Sequence, residues 1–428
     1  MSSKLGKSIR VLLTLIAAAA FIHGCGSGER KVYRGAAPAP PPDDWPQPVT
    51  QPRHVARDAF YDVPGKVPPQ PGALLRQERL LDRVMPVGAQ AWRIQYTTTF
   101  SDGTPAIAVA TVLAAGQPAK IPRPVITWAH GTVGLVQSCM PSLITHPFAG
   151  VPALTEAIAE GWVILATDYA TAGPDGPHPY LIGEGAARST LDAVRAARLI
   201  PDLKLADRTV VWGHSQGGHT ALWTGIIAPR YAPDVKVLGT VPIAPATDMA
   251  RTLTLHGANE KGNALASFLA VAYSRFYPDV VFDDVVRADA RDIVRQLANE
   301  CTDPYSTGRS EIAGQLNGIP PVPDFSAGAF GRRLRQNIPV DRIRMPVLIV
   351  QGLADNVSFP FVTDDYVKER CASGQALEYW IFAKANHQTI VDAGSPLTPG
   401  IMQWTRDRFE ASPAPVVCTL RTFQFGDH

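Results

Sequence analysis

Four segments of the chain are short, almost continuously apolar and rich in β-branched residues, and each ends in a glycine, a polar residue or both. They are PVITWAHGT (124–132), WVILATDY (162–169), TVVWGHS (209–215) and PVLIVQGLAD (346–355). Between them lie stretches of helical periodicity, such as residues 185–200, where Leu191, Val194 and Leu199 share one face and arginines lie on another. Buried strands that alternate with helices are typical of a parallel sheet covered on both faces. The pattern therefore predicts an α/β fold with a mostly parallel sheet.

Further strands are predicted on both sides of this alternating region. Residues 90–115 contain two β-rich runs separated by Ser-Asp-Gly, which indicates a hairpin. Residues 235–246 form another apolar strand, and residues 376–382 form the last strand that the pattern predicts.

Residues 248–342 break the alternation. They hold helical pieces at 262–276 and 284–300 and a Gly/Pro-rich run, without a convincing buried strand. An insertion between two sheet strands, on the edge where α/β proteins bind ligands, predicts a helical cap or lid. The core of the fold would then comprise residues 55–247 and 343–428.

The beginning of the chain has the pattern of an export signal. A basic patch of Lys4, Lys7 and Arg10 precedes the apolar run of residues 11–22. That run is shorter than the roughly 20 residues that a membrane-spanning helix requires, and it suits the core of a signal peptide. Residues 1–24 are therefore predicted to be a signal peptide.

The residues at the end of this signal indicate attachment to a membrane surface through a lipid. The sequence IHGC, which ends in Cys25, resembles the bacterial lipoprotein cleavage box, in which the cysteine carries the lipid anchor. His23 is an unusual residue in that box, so secretion as a soluble protein with an unmodified Cys25 is the alternative. The Pro-rich residues 25–54 would form a tether, and the protein would be held at the bacterial cell envelope.

Composition narrows the functional classes. A hydrophobic content of 46% and a charged content of 18% exclude wholesale disorder, and a net charge of +2 argues against a nucleic-acid partner. The chain contains no Cys-x-x-Cys pair, nucleotide loop or haem motif, so neither a metal nor a cofactor is expected. The oligomeric state is not predicted.

Export also changes how the cysteines are interpreted. Four remain beside the candidate anchor, namely Cys139, Cys301, Cys371 and Cys418. An even number in an oxidising compartment predicts two disulfides. Four buried free thiols are the alternative, and spacing alone does not fix the pairing.

The most specific chemical signal is GHSQG, which follows the apolar run TVVW and precedes a helix-forming stretch. Gly213 and Gly217 remove side chains that would collide where the chain reverses from strand to helix, and Ser215 is lifted onto the tip of that turn. In this context Ser215 is predicted to be a nucleophile; a structural turn serine is the alternative.

A serine hydroxyl needs a base to accept its proton and a carboxylate to orient that base. Asp355 lies in the turn after an apolar strand, and His387 lies in a loop after the last predicted strand. The order serine, acid, histidine is the one this type of fold uses. Ser215, Asp355 and His387 are therefore predicted to form a catalytic triad.

Other residues compete for these roles. Asp248 follows the preceding strand and is an alternative acid, and His178 lies in a Pro/Gly-rich loop and is an alternative base. His214 is held by the sharp turn, and His219 lies one turn into the following helix, so neither is well placed to act on Ser215.

An oxyanion needs two main-chain donors. The N–H of Gln216, directly after the nucleophile, is the first predicted donor, and the N–H of Thr132, in the loop after the strand at 124–132, is the second. His130 and Gly131 shape that loop, and a structural role is favoured for the histidine.

Taken together, HGT after a strand, GHSQGG, GLADNV and a late Asn-His resemble the α/β-hydrolase superfamily. DYATAG (168–173), LDAVRAAR (191–198) and the insertion of about 90 residues resemble, more narrowly, the secretory lipase family, to which the fungal lipase A enzymes belong. The resemblance covers residues 61–425. It implies a cap that shapes an acyl pocket and hydrolysis of carboxylic esters.

The same resemblance implies that Cys139 pairs with Cys301 and Cys371 with Cys418. The expected function is hydrolysis of ester or lipid small molecules through an acyl-Ser215 intermediate. Alternatives are an acyltransferase that uses the same intermediate and a non-catalytic, lipid-binding envelope lipoprotein. Some family members have an acidic residue in the oxyanion region; this chain has HGTVG instead, so lipase and short-chain esterase behaviour are not separated.

Overall fold

A ten-stranded sheet forms the centre of the structure, a computed structural model that describes residues 58–62, 65–171, 176–302 and 307–424. The strand order is β1-β2-β3-β5-β4-β6-β7-β8-β9-β10, and all pairs from β5 onward in this order are parallel. The strands are β1 (Leu74–Leu80), β2 (Ala89–Thr99), β3 (Pro105–Ala115), β4 (Arg123–Ala129), β5 (Val163–Ala170), β6 (Leu205–His214), β7 (Val237–Ile243), β8 (Leu348–Gly352), β9 (Glu378–Phe382) and β10 (Thr419–Phe423).

Helices cover both faces of this sheet. Along β5, Val163 and Leu165 pack into one apolar cluster with α2, α3 and α10, whereas Ile164 and Ala166 pack into another with α1 and α11. This alternation is the period of a strand buried on both faces, and it confirms the predicted α/β-hydrolase fold. The helices are α1 (Leu154–Ala159), α2 (Gly183–Ala197), α3 (Gln216–Tyr231), α4 (Met249–His256), α5 (Glu260–Phe276), α6 (Phe282–Val285), α7 (Arg291–Ala298), α8 (Thr307–Gly314), α9 (Gly328–Gln336), α10 (Pro360–Ala372) and α11 (Leu397–Phe409).

The two edge strands of the sheet, β1 and β10, have no counterpart among the predicted strands. The predicted hairpin is present as antiparallel β2 and β3, with Gly103 in the turn at φ 85°. The prediction that residues 376–382 form the last strand is wrong, because β10 pairs parallel to β9 beyond it. Three of the five residues of β10 are exposed, so this edge strand lacks the buried apolar run by which the inner strands were recognised.

Six helices, α4 to α9, lie between β7 and β8. Within the described residues of that stretch no strand occurs, in keeping with the break in the sequence pattern. The helices contribute to a third apolar cluster that includes Leu253, Phe268, Leu297 and Phe330. No helix in the described ranges is both long and apolar enough to cross a bilayer.

Two disulfides are present, and they join the pairs that the family resemblance implies. Cys139–Cys301 links the segment after β4 to the end of the α7 region, and Cys371–Cys418 links α10 to the start of β10. The predicted signal peptide, the tether and Cys25 lie outside the described residues.

Candidate active site

Ser215 is the single residue between β6 and α3, and its backbone has φ 57° and ψ −115°. Positive φ is strained for a residue that carries a side chain, and it persists where surrounding contacts hold it. Here the Ser215 N–H donates to the carbonyl of Ile243 at 2.9 Å, and the Ser215 carbonyl accepts from the N–H of Ala246 at 3.2 Å. The end of β7 therefore fixes the turn that presents the serine.

Glycines on either side of Ser215 are required by close backbone approach. A Cβ at Gly213 would lie 2.0 Å from the carbonyl oxygen of Gly217, and a Cβ at Gly217 would lie 1.8 Å from that of Ala129. Real Cβ atoms do not come this near to backbone oxygens. The two glycines thus allow the turn to pack against the end of β4, where the candidate oxyanion loop begins.

Asp355 and His387 are in direct contact. The Nδ1 atom of His387 lies 2.7 Å from Oδ2 of Asp355, whose side chain is fully buried. The carboxylate also accepts N–H bonds from Val357 at 2.8 Å and Ser358 at 2.9 Å and an amide bond from Gln351 at 3.2 Å. Because a carboxylate only accepts, Nδ1 carries the proton and Nε2 of a neutral His387 keeps its lone pair.

The loop that carries His387 lies against the residue before Ser215. The ring centroids of His214 and His387 are 4.5 Å apart, and Nε2 of His214 is 2.8 Å from the main-chain oxygen of His387. The Ser215 hydroxyl forms no hydrogen bond with a residue that the structure describes. In enzymes, the hydrogen bond between a catalytic serine and its base is often long or poorly aligned until substrate binds.

The candidate oxyanion donors come from two segments next to Ser215, the start of α3 and the loop after β4. Gln216 is the first residue of α3, where a main-chain N–H has no intrahelical partner. In the opposite loop a Cβ on Gly131 would lie 3.6 Å from Cβ of Ser215. The next residue, Thr132, bonds through its hydroxyl to the Tyr180 hydroxyl at 2.8 Å.

The candidate oxyanion loop is also bonded to the segment that follows α7. The Thr132 carbonyl accepts from the Thr302 hydroxyl at 2.5 Å, and the Val133 carbonyl accepts from the Thr302 N–H at 3.0 Å. Thr302 directly follows Cys301, so the disulfide to Cys139 and these two hydrogen bonds act on the same short piece of chain.

His130 supports this loop from beneath. Its Nδ1 donates to the carbonyl of Gly131 at 2.6 Å, and its own carbonyl accepts from the Tyr169 hydroxyl at 2.9 Å. Burial lowers the pKa of His130 to about 4, so the ring stays neutral near pH 7. These contacts support the structural role that the sequence favours for this histidine.

The competing residues have other partners. Asp248 caps α4 by accepting the N–H of Arg251 at 3.0 Å. His178 lies against the Gly134 carbonyl at 3.2 Å, and burial lowers its pKa to about 3. His219 donates to the Asn337 carbonyl at 2.7 Å. Of the candidate acids and bases, Asp355 and His387 are the two that the structure brings together.

Sequence reasoning missed a buried acid beside this site. Asp168, at the end of β5, accepts a bond from the Tyr61 hydroxyl at 2.6 Å and from the Ser142 N–H at 3.1 Å. Burial raises the pKa of Asp168 to about 6. In the sequence, Asp168 stands out only as part of the DYATAG segment. That segment does not indicate that Tyr61 and Ser142 are its partners. The network anchors the chain just after Cys139.

A cavity of about 830 Å³ lies beyond Tyr169, between the sheet and the helices inserted after β7. Its aromatic lining consists of Tyr61, Phe100, Tyr169, Trp223, Phe276 and Tyr277. Within the described ranges, none of the triad candidates lines it. The backbone strain, the buried carboxylate and the paired histidine occur at Ser215 and not in this cavity, so Ser215 remains the candidate site.

Comparisons with known proteins identify the family of this chain. The secretory lipase family profile matches residues 149–416. A probable inactive lipase of Mycobacterium tuberculosis is 27% identical over 406 residues, which covers 87% of this chain and 86% of that protein. Lipase A of Arthroderma benhamiae is 24% identical over 403 residues, which covers 86% and 82%.

Solved structures show the same fold. The closed state of Candida antarctica lipase A superposes with a TM-score of 0.67 at 19% identity and covers 84% of this chain and 87% of that one. The family profile spans well over half of the present sequence. The chain therefore belongs to the secretory lipase family.

Proposed function

We propose that this protein is a serine carboxylic ester hydrolase of the lipase or esterase type, with Ser215 as nucleophile, His387 as base and Asp355 as the acid that orients it. The observation that carries the proposal is the 2.7 Å bond between His387 and a buried Asp355, in a loop that lies against the strained turn of Ser215. Family membership supports the reaction class.

In the proposed reaction the Ser215 oxygen attacks the ester carbonyl while Nε2 of His387 accepts its proton. The N–H groups of Gln216 and Thr132 bind the oxyanion, and Asp355 stabilises the imidazolium that forms. The imidazolium then protonates the departing alcohol, which leaves acyl-Ser215. Water, activated by His387, hydrolyses this intermediate and restores the serine.

We also propose that residues 248–342 form a cap over this site and help to shape its substrate pocket. Support comes from the third apolar cluster, which these helices share with Leu135, Tyr180 and Ile182 of the core. Further support comes from Thr302, whose bonds to the oxyanion loop would couple the cap to catalysis. Esters with an apolar acyl chain are the proposed substrates.

Export of the chain accords with its membership of a secretory family. Beyond that, we propose that a lipid on Cys25 holds the enzyme at the cell envelope, with residues 25–54 as a spacer. Mass spectrometry of the membrane fraction tests this, because a diacylated N-terminal cysteine and an unmodified secreted chain differ in mass and in partitioning.

The first experiment is incubation of the folded protein with a fluorophosphonate, followed by peptide mass spectrometry and by hydrolysis of p-nitrophenyl esters from acetate to palmitate. We expect the label on Ser215, its loss after heat denaturation, and no hydrolysis by S215A. A folded protein that is unlabelled and hydrolyses no ester would overturn the proposal and favour a lipid-binding role, as one relative is a probable inactive lipase. Products formed with competing alcohols distinguish an acyltransferase.

A further inference from the structure

His214 lies inside GHSQG, directly before the proposed nucleophile, and the proposed reaction leaves it without a role. Its side chain is buried at 8% exposure. Its Nε2 lies 2.8 Å from the main-chain carbonyl oxygen of His387. A carbonyl oxygen can only accept, so Nε2 carries the proton and donates it to this bond.

Another edge of the same ring faces the loop after β4. A Cβ on Gly131 would lie 3.3 Å from Nδ1 of His214. The centroids of the His214 and His387 rings are 4.5 Å apart, with an interplanar angle of 43°. The imidazole of His214, at the end of β6, therefore lies next to two other segments, the loop after β4 and the loop that carries His387.

The loop of His387 is anchored on both sides of this residue. The Ala385 carbonyl accepts the Ala354 N–H at 3.0 Å, and Ile390 and Val391 are buried in the apolar core. Between these anchors, the Asn386 side chain accepts the N–H groups of Gln388 and Thr389. The side chain of His387 is held at Nδ1 by Asp355. Its main-chain oxygen is held by His214. A bond at Nδ1 alone leaves the ring free to pivot about that contact, whereas a second bond to the main chain fixes where Nε2 points.

We infer that His214 is a positioning residue, whose N–H clamps the main chain of His387 so that the His387 ring faces Ser215. The inference rests on the proposed function, since it assigns His387 as the base. His214 does not compete for the serine proton, because burial and the neighbouring His387 hold its pKa well below the ordinary value and its N–H is already committed. Misplacement of a reacting group by about 1 Å can cost on the order of 100-fold in rate.

Among the described residues, titratable groups that act on His387 include Asp355, His214 and His256. Nε2 of His256 lies 3.1 Å from the carbonyl oxygen of Val357, in the loop that carries Asp355. A test of the clamp must therefore change the His214 donor without changing charge at the other two positions.

The test compares H214Q with H214N. A glutamine carries its amide nitrogen at the depth of Nε2 and can reach the His387 carbonyl, whereas an asparagine nitrogen lies at the depth of Nδ1 and cannot. H219N is the matched control, because His219 is equally buried and donates Nε2 to a different main-chain carbonyl, that of Asn337 at 2.7 Å. The readouts are kcat and KM between pH 5 and pH 9, and the low-field proton resonance of His387 Nδ1–H.

For H214N we expect kcat to fall about 10- to 100-fold with little change in KM. The low-field resonance should broaden, because the His387 ring no longer holds a fixed position against Asp355. H214Q and H219N should keep both kcat and the resonance.

The inference is overturned if H214N retains kcat. It is also overturned if kcat falls with the resonance unchanged, since that would be a general structural effect. It is equally overturned if H214Q fails to restore what H214N loses. Failure of the proposed function looks different: wild type would leave Ser215 unlabelled, while the resonance would still report whether His214 positions His387.

Discussion

The imidazole of His387 donates a 2.7 Å hydrogen bond to Asp355, and that carboxylate is held in turn by two main-chain N–H groups of its own loop, those of Val357 and Ser358. The Asp355 carboxylate is therefore held in place by its own loop, independently of His387. A buried acceptor so well supplied with donors favours one tautomer of His387, with Nε2 left unprotonated. Because of this pairing, we interpret the strained turn at Ser215 as a candidate catalytic site and not as a purely structural turn.

Replacing Asp355 with asparagine should lower kcat by about 10³- to 10⁴-fold with a small change in KM. The amide of the variant can donate to Nδ1, which selects the wrong tautomer and removes the charge that stabilises an imidazolium. Steady-state kinetics on p-nitrophenyl butyrate measure this.

The matched control is D248N, because Asp248 was the rival acid and acts in the structure as the cap of α4. Asparagine is about as good a helix cap as aspartate, so D248N should keep both its kcat and its melting temperature. If D248N were the inactive variant and D355N retained its kcat within tenfold, the assignment of the acid would be wrong.

Replacing Gly217 with alanine should destabilise the fold by about 3 kcal/mol or more. The added methyl would lie 1.8 Å from the Ala129 carbonyl oxygen and 2.8 Å from that of His130, and backbone atoms cannot move aside as a flexible side chain can. Urea unfolding followed by fluorescence measures the loss, and fluorophosphonate labelling of Ser215 should slow in whatever fraction folds.

G314A provides the comparison. Gly314 ends α8, and a Cβ there would meet nothing within 4 Å. Its free energy of unfolding should change by less than about 1 kcal/mol. Equal effects of the two substitutions would show that the close approach of the Ser215 turn to β4 is not what requires glycine.

The sequence predicts the inner fold well because the inner strands carry their own signal. β4, β5, β6 and β8 are buried on both faces and are thus almost continuously apolar, and the ends of parallel strands meet at one edge. Ser215, Asp355 and His387 follow β6, β8 and β9, so the sequence could place all three at the same edge of the sheet.

The remainder depends on contacts that no local pattern encodes. The edge strands β1 and β10 are half exposed and polar, which is also the pattern of a loop. The partners of Asp168 lie 107 and 26 residues away in the sequence. The bond from His214 to His387 joins residues that are 173 positions apart. Its acceptor is a main-chain oxygen, which every residue has, so the residue types do not indicate this bond.

The stability of the wild-type protein should fall relative to that of D168N as the pH rises from about 4 to 7. Burial raises the pKa of Asp168 from 3.8 to about 6, so the folded state binds this proton more tightly than the unfolded state does. Below pH 4 both states are protonated and ionisation has no effect; above pH 6 the buried charge costs roughly 2 to 3 kcal/mol. Asparagine keeps an oxygen for the Ser142 N–H and has no such cost.

Urea titrations of both proteins at several pH values measure this difference. Y61F should enlarge the pH dependence of an otherwise wild-type chain, because it removes the hydroxyl that donates to the Asp168 carboxylate. Parallel stability curves for the wild type and D168N would show that Asp168 does not ionise in this range.

The two disulfides should contribute similarly to the stability of the fold, but only Cys139–Cys301 should affect kcat. They separate their cysteines by 162 and 47 residues, for which loop-closure entropy gives about 5 and 4 kcal/mol. C139A/C301A should also lower kcat, because Cys301 directly precedes Thr302, which donates two hydrogen bonds to the oxyanion loop. C371A/C418A, at the β10 edge, is the matched control and should keep kcat at a temperature where both variants are folded. Equal kcat losses, or none, would mean that the first disulfide does not position the loop at Thr132.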